Sequence, residues 1–507
     1  MSRPTLRVGR ADARPHEAAA SAPARRQRAR GAKPGAVLGV VVLGAAMAFI
    51  DATIVNISVP SIAAQFPTSP LSSISWVLNA YNIVFAAFLI GGGQLADAFG
   101  RRRVFSLALL VFTSASALCA LAPTLAVLVL ARVLQAGGAA LLIPSSLAIV
   151  LDVYPPERRV RAITLWAAAA AAAAGIGPPL GGLLITASGW RLVFLVNVPI
   201  GIVTLLAARA IVPESRRPGR RRLPDLLSEA ALSLSVATLV LAIVKGEEWG
   251  WMSARTLATL LASCVLGAIF LTRCRRNPGR TIDPALLRVR SFGIANGATV
   301  VLAIGFYGYT LCNVLFLTGV WQYSILQAGL ALMPGPVVAM AVAVVASRPI
   351  ERFGHRAVIV PGALIWASGA LFLLLTAGEQ PDFLGTLLPV IILSGIGAGL
   401  TFPAVSGAAV MSVPGERFAL ASALNAVARQ VGAALGVAVL VAILGSSAEG
   451  PGALAAFRQG WTFSASCMVL GGLACLALVL RAPAMGRARS VAQTAIRAAE
   501  PRAPERA

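Results

Sequence analysis

The sequence predicts an all-α polytopic membrane protein, a bundle of fourteen helices crossing a bilayer. Three observations predict it. The 507 residues are 58% hydrophobic and only 12% charged, about half the charged fraction of an ordinary water-soluble chain. Apolar stretches of about 20 residues, each enough for a ~30 Å hydrocarbon core, recur between residues 36 and 481. These stretches are continuously apolar, whereas strands of a transmembrane barrel alternate, so the spans are helices.

The predicted helices cover 36–58, 74–94, 104–122, 125–151, 163–187 and 190–212, then 226–246 and 254–272, then 291–316, 326–347, 357–376, 385–411, 419–446 and 459–481. Charge placement supports that count. Of the 43 basic residues, thirty-seven lie in the two tails or in every second loop. Only Arg191, Lys245, Arg255 and Arg458 fall on the opposite side, leaving Arg132 and Arg429 inside spans. The positive-inside rule then places both termini in the cytoplasm of a multi-pass cell-membrane protein. A net charge of +24 would suggest nucleic acid in a soluble protein, but no basic groove with stacking aromatics accompanies it. Nucleic-acid binding is excluded, and the bilayer is the expected partner.

Residues 1–35 are rich in Arg, Ala and Pro without an apolar core, and read as a basic cytoplasmic tail rather than a signal peptide. Residues 482–507 read as a second tail. The cysteines, Cys119, Cys264, Cys274, Cys312, Cys467 and Cys475, show no metal-ligand spacing, and buried Cys behaves as a small hydrophobe. With only His16 and His355 besides, no metal site is expected. The lack of Gly-x-x-x-x-Gly-Lys-Ser/Thr argues against ATP as an energy source. No acid–base cluster or long loop is suited to catalysis, so an enzyme is not expected.

The chain also repeats. Gly138 to Pro144 reads GAALLIP, and Gly397 to Pro403 reads GAGLTFP, 259 positions on. Pro155-x-Glu157-Arg158 recurs as Pro414-x-Glu416-Arg417, and Ala173-xxx-Gly177 as Gly432-xxx-Gly436, at the same offset. Three matches at one spacing map the first six spans onto the last six. The expected division is a six-helix bundle (36–212), a linker (213–225), two inserted helices (226–272), a basic loop (273–290) and a second six-helix bundle (291–481).

Four stretches resemble a known family. The loop after the second span reads Gly93-Gln-Leu95-Ala96-Asp97-Ala-Phe-Gly100-Arg101-Arg102-Arg103, with a degenerate copy, Glu351-Arg352-Phe353-Gly354-His355-Arg356, after the tenth. This is similar to the signature loop of the major facilitator superfamily. Asp51-Ala-Thr53-Ile-Val-Asn56-Ile-Ser-Val-Pro60 resembles the first-helix motif of that superfamily's fourteen-span drug:proton antiporters. Arg132-Val-Leu-Gln135-Ala136-Gly137-Gly138 resembles its arginine–glutamine–glycine motif, with Ala136 where glycine is usual. Gly177-Pro178-Pro-Leu-Gly181-Gly182 resembles the antiporter motif, with Ala173 at its leading glycine. Trp190-Arg191 through Asn197-x-Pro199-x-Gly201 also fits. The resemblance covers residues 36–481. It implies two six-helix bundles plus two inserted helices, and proton-coupled export of a drug or antibiotic by a monomer, with no cofactor. Import by a substrate:proton symporter or facilitator is the alternative on the same fold.

Ionisable groups inside a membrane are functional candidates by default. Asp51 lies about fifteen residues into the first span, roughly 22 Å from its cytoplasmic end at 1.5 Å per residue. Arg132 enters the fourth span from the other side by about seven residues, roughly 10 Å. In a ~30 Å core the two depths nearly coincide. Asp51 is therefore the expected proton switch, with Arg132 biasing whether it holds a proton; a static pair fixing two helices is the bland reading. The expected substrate cavity draws on Asn56, Tyr81, Asn82, Gln135, Phe306, Tyr309, Asn313, Asn425, Arg429 and Gln430. Arg429 would face an anionic or polar substrate group, or satisfy backbone carbonyls. A single deep carboxylate favours hydrophobic or singly cationic cargo. Gly93, Asp97, Gly100, Arg101, Glu351 and Gly354 form the expected gating loops, in which an acid among arginines can latch one bundle to the other. Pro178 and Pro179 are expected to bend the fifth span. Glu229 reads as interfacial, and Trp76, Trp190 and Trp321 as interface anchors.

Overall fold

In the computed structural model, residues 33–215, 225–276, 286, 289–413, 418–445 and 452–478 are described. The N-terminal tail up to residue 32, most of the linker, the centre of the 273–290 loop, the Pro414–Arg417 repeat and the C-terminal tail lie outside them. Among the described residues, fourteen helices are long and apolar enough to cross a membrane: α1 Pro34–Gln65, α2 Leu71–Phe99, α3 Arg101–Ala120, α4 Leu125–Val153, α5 Arg161–Ser188, α6 Arg191–Ile211, α7 Leu226–Gly246, α8 Ala254–Arg276, α9 Arg290–Gly319, α10 Ile325–Phe353, α11 Arg356–Thr376, α12 Phe383–Met411, α13 Leu420–Leu444 and α14 Ala453–Ala477. No strand occurs among the described residues.

Each predicted span corresponds to one helix; the ends differ. α1 runs to Gln65 instead of 58 because Pro60 does not stop it. α14 begins at Ala453, ahead of the predicted 459, because small residues continue the helix beyond the apolar stretch. α5 passes through Pro178 and Pro179 as one continuous helix, its neighbours holding the segment where two backbone donors are missing. Local chemistry starts several helices. Thr124 accepts from the Val127 amide ahead of α4, and Ser324 with Gln327 forms a reciprocal cap on α10.

Packing repeats between the first and last six helices. α1 packs on α5 and α6, α2 on α4, and α3 on α4 and α6; α9 packs on α13 and α14, α10 on α12, and α11 on α12 and α14. The glycines of the sequence repeat sit at matching crossings. A Cβ on Gly138 would come within 2.7 Å of the Phe112 backbone of α3, and one on Gly397 would strike Trp366 of α11. Gly177 likewise faces Thr53 of α1, and Gly436 faces Ile304 of α9. Without side chains the backbones approach closely, as membrane helix crossings require.

The two sets meet along two seams, α2 with α13 and α5 with α10. At the end away from the Arg101 loop the second seam is tight. A Cβ on Gly182 would lie 2.7 Å from the Leu326 Cα, and one on Gly329 2.6 Å from the Pro178 carbonyl. α7 covers the other seam, packing on both α2 and α13, and α8 packs on α7. Ser235 and Ser263 exchange hydroxyl-to-carbonyl bonds of 2.9 and 2.8 Å between α7 and α8.

Candidate functional site

Asp51 on α1 is fully buried and Arg132 on α4 is 1% exposed. Arg132 Nη1 donates to Asp51 Oδ2 at 2.5 Å. Gln135, one turn further along α4, donates through Nε2 to Asp51 Oδ1 at 2.8 Å, and Asn197 of α6 donates to the same oxygen at 3.2 Å. Ser116 of α3 accepts from Gln135 at 2.7 Å and from Asn197 at 3.4 Å. Arg132 also donates through Nε to the Val77 carbonyl of α2 at 3.1 Å, and through Nη1 to Gln135 Oε1 at 2.6 Å. Its guanidinium lies 4.1 Å from the centroid of the Tyr81 ring. Five helices thus converge on one carboxylate. A buried ion pair is tolerable only when such further hydrogen bonds replace lost water.

The sequence reading found Asp51 and Arg132 here and placed Gln135 and Tyr81 in the substrate cavity. It missed Ser116 and Asn197 as site residues. Asn197 stood inside a quoted motif, and its burial at 1% is the signal that marks it. Ser116 has no sequence signal; only the packing of α3 against α4 and α6 brings it in.

The second set of helices repeats the geometry without the charge. At the 259 offset, Thr310, Ile391 and Ser394 stand where the first set has Asp51, Arg132 and Gln135. Tyr309 and Ser394 share a 3.0 Å hydrogen bond between α9 and α12. Trp461 of α14 donates to Asn313 of α9 at 3.0 Å, matching the α6–α1 bond of Asn197. Asn425 of α13 accepts from Ser406 of α12 and donates to Thr299 of α9, both at 2.8 Å. Asn56 donates back to Ala52 and Thr53 of its own helix. The polar ends of Tyr309, Asn313 and Asn425 are therefore engaged in holding helices together, and the Asn56 amide bonds its own helix, which the sequence reading did not anticipate.

Phe306 packs in an aromatic cluster, 5.2 Å from Trp366 and 5.4 Å from Phe402 between centroids. Asn82 and Gln430 are buried. Arg429 has no hydrogen bond or ion pair among the described residues and is part-exposed. Among the described residues it satisfies no backbone carbonyl. Tyr307 of α9, another residue the sequence reading missed, lies within electrostatic reach of both Arg429 and Tyr81.

At the arginine-rich end, Arg101 pairs with Asp97 at 3.0 Å and with Asp152 of α4 at 2.5 Å, and donates to the Ala148 carbonyl. Gly100 makes the turn at φ 109°, and Gly354 makes the second copy's turn at φ 83°, both in the region that favours glycine. Arg102 and Arg103 approach Glu214 beyond α6. These described ion pairs join α2, α3 and α4 within the first set of six. Glu351 is exposed.

Two expectations need correction. Glu229 is not a solvent-exposed boundary residue: it is 2% exposed, its Oε2 lacks a partner among the described residues, and its carboxyl fills the notch left by Gly91 of α2. Trp190 and Trp321 are 2% and 3% exposed, so they are packing residues and not lipid-facing anchors. Trp190 stacks edge-on with Phe194, and Trp321 donates to the Gly378 carbonyl at 3.0 Å. Tertiary packing claims aromatic surface that the sequence alone assigns to the membrane boundary.

A polytopic helical frame, repeated around a buried, hydrogen-bonded ion pair, defines a membrane transporter. Comparison with known proteins agrees. A family model described as Major Facilitator Superfamily matches residues 41–273. Multidrug resistance protein Stp of Mycobacterium tuberculosis is 33% identical over 403 residues, covering 79% of this chain and 74% of that protein. Methylenomycin A resistance protein of Bacillus subtilis is 34% identical over 423 residues, covering 81% and 88%. Among solved structures, a peptide transporter POT bound to sulfate superposes with a TM-score of 0.64 at 18% identity, over 91% of this chain and 99% of that one. The inward-open xylose transporter XylE of E. coli gives 0.60 at 15% identity, over 89% and 97%. This chain belongs to the Major Facilitator Superfamily.

Proposed function

We propose that this transporter exports a small, largely hydrophobic drug or antibiotic from the cytoplasm in exchange for protons. The Asp51 network carries the reading: one carboxylate, sealed by Arg132, Gln135 and Asn197, is the one acid placed deep among the first six helices. Protonating Asp51 removes its charge and frees Arg132 from it, leaving Arg132 held by Gln135 on its own helix and by Val77 and Tyr81 of α2, at a seam between the two sets. A proton is thereby converted into a shift of α1, α4 and α6 relative to α2. The names of the relatives, resistance and export proteins, support the outward direction.

Around that centre, the six-plus-two-plus-six division, cytoplasmic termini and a functional monomer complete the reading. The 93–103 and 351–356 loops are its gates at the cytoplasmic face. The Gly177–Gly182 segment, packed on α1 and α10, seals the pathway against proton leak. The proton gradient is the energy source and no cofactor takes part. The preference for cationic cargo is dropped, because both oxygens of Asp51 are already occupied by donors.

The test uses an antibiotic found in a susceptibility panel with and without the gene. In everted vesicles carrying the full chain, that antibiotic accumulates when a proton gradient is imposed, and Asp51→Asn abolishes the coupling. Full gradient-driven export by Asp51→Asn would eliminate the switch. Cells in which collapse of the gradient lowers accumulation instead of raising it would establish import by symport.

A further inference from the structure

We infer that the cargo carries an acidic group and that Arg429 of α13 is the residue that binds it. The inference rests on the transport reading above but draws on the other half of the molecule. A guanidinium within a bilayer is costly unless paired, hydrated or bound to a ligand. Arg132 meets that condition with Asp51, Gln135, the Val77 carbonyl and the Tyr81 ring. Arg429 meets it with nothing on the protein among the described residues.

Its surroundings say where it points. α13 is packed against α9, α2, α7, α12 and α14, which leaves little of its length free to face lipid. Ala434 and Ala438 turn one face toward Ile83 of α2 and Val236 and Val240 of α7. Gly432 and Gly436 bring the other face against Val300, Ala303 and Ile304 of α9. Arg429 lies about one turn before Gly432, on the side of Tyr307. Tyr307 of α9 lies within electrostatic range of both Arg429 and Tyr81 of α2, which puts two phenols and a cation in the region where the two sets meet. The aromatic cluster of Phe306, Trp366 and Phe402 is next to Tyr307 on α9.

The fold itself does not call for the charge. The position matching Arg429 in the first six helices is Ala170, and the two sets pack alike without a cation there. A free guanidinium beside phenol donors and an aromatic wall fits a planar, hydrophobic molecule bearing one carboxylate, phenolate or comparable oxyanion. Arg suits it because its planar fork binds such groups through two N–H donors.

The probes are two xanthene dyes of similar shape and opposite charge, anionic fluorescein and cationic rhodamine 6G. Binding to the purified full chain in nanodiscs is read by fluorescence anisotropy. The expected result is saturable fluorescein binding that weakens about tenfold or more in Arg429→Gln, the size of one lost charged contact. Arg429→Lys, which keeps the charge, retains an intermediate affinity and serves also if Arg429→Gln does not fold. Rhodamine 6G binding is absent, or unchanged by either substitution. The inference is overturned by failure of wild-type protein to bind fluorescein, by equal fluorescein affinity in Arg429→Gln, or by rhodamine 6G binding that depends on Arg429. The same dyes in everted, proton-energised vesicles separate the two readings: fluorescein bound through Arg429 yet not moved would leave the acid site standing and remove the export reading.

Discussion

Both oxygens of Asp51 accept hydrogen bonds, Oδ2 from Arg132 and Oδ1 from Gln135 and Asn197. Under the proposed mechanism, a proton on Asp51 weakens these bonds and so moves the helices that carry the donors. Asp51→Asn is expected to lower gradient-driven flux by about two orders of magnitude, the general size of removing a proton-transfer group, while the chain still assembles; a vesicle flux assay checks it. Ser116→Ala acts more gently. It leaves Gln135 and Asn197 short of one acceptor, costs about 1–2 kcal/mol of stability, and shifts the pH midpoint of transport without abolishing it. A pH profile of flux separates this from a merely structural loss, which would lower the rate at every pH.

Among the elements, α7 and α8 are joined at two levels, midway by the serine exchange and at one end by Arg273 of α8 on Asp225 at the start of α7. Arg273 Nη2 lies 2.8 and 3.1 Å from the two Asp225 oxygens, and Ser228 adds a 2.7 Å bond. Burial by itself raises the Asp225 carboxyl, but the bonds from Arg273 and Ser228 together outweigh it and hold the group below its ordinary value of 3.8. A carboxyl depressed in the folded state binds fewer protons there than in the unfolded chain, so its contribution is present above about pH 4 and lost as pH falls. Thermal melts in detergent are expected to show Asp225→Asn destabilised at neutral pH, with the gap to wild type closing in strong acid. Where α7 meets α2, Glu229 fills the notch at Gly91. Gly91→Val should drive the two helices apart and destabilise by about 1–3 kcal/mol. The added substitution Glu229→Ala should recover most of it, and a double-mutant cycle of melts reads the coupling directly.

For the whole molecule, alternating access requires the seam of α5 and α10 to open at the end where it is now tight. A disulfide between Gly182→Cys and Leu326→Cys, in a chain with its native cysteines replaced, is expected to form readily and to stop transport, with reduction restoring it. Transport unaffected by complete cross-linking would show that this seam never opens.

Much of this was legible in the sequence because bilayers impose simple arithmetic. Fourteen spans follow from length and apolarity, since every backbone donor inside lipid must be satisfied within its own helix. The repeat of Gly138 and Gly177 in Gly397 and Gly436 was readable because small residues mark helix crossings. The depth match of Asp51 and Arg132 followed from rise per residue alone. Tertiary structure decided what distance and direction control. Ser116 and Asn197 join the carboxylate only because α3 and α6 pack beside α1 and α4. Tyr309, Asn313 and Asn425 turn out to bind neighbouring helices, Glu229 is buried by α2, and Arg429 is left without a hydrogen bond or ion pair among the described residues. A sequence fixes which residues lie at a given depth; which of them face each other depends on the rotation of each helix about its axis, and only packing sets that.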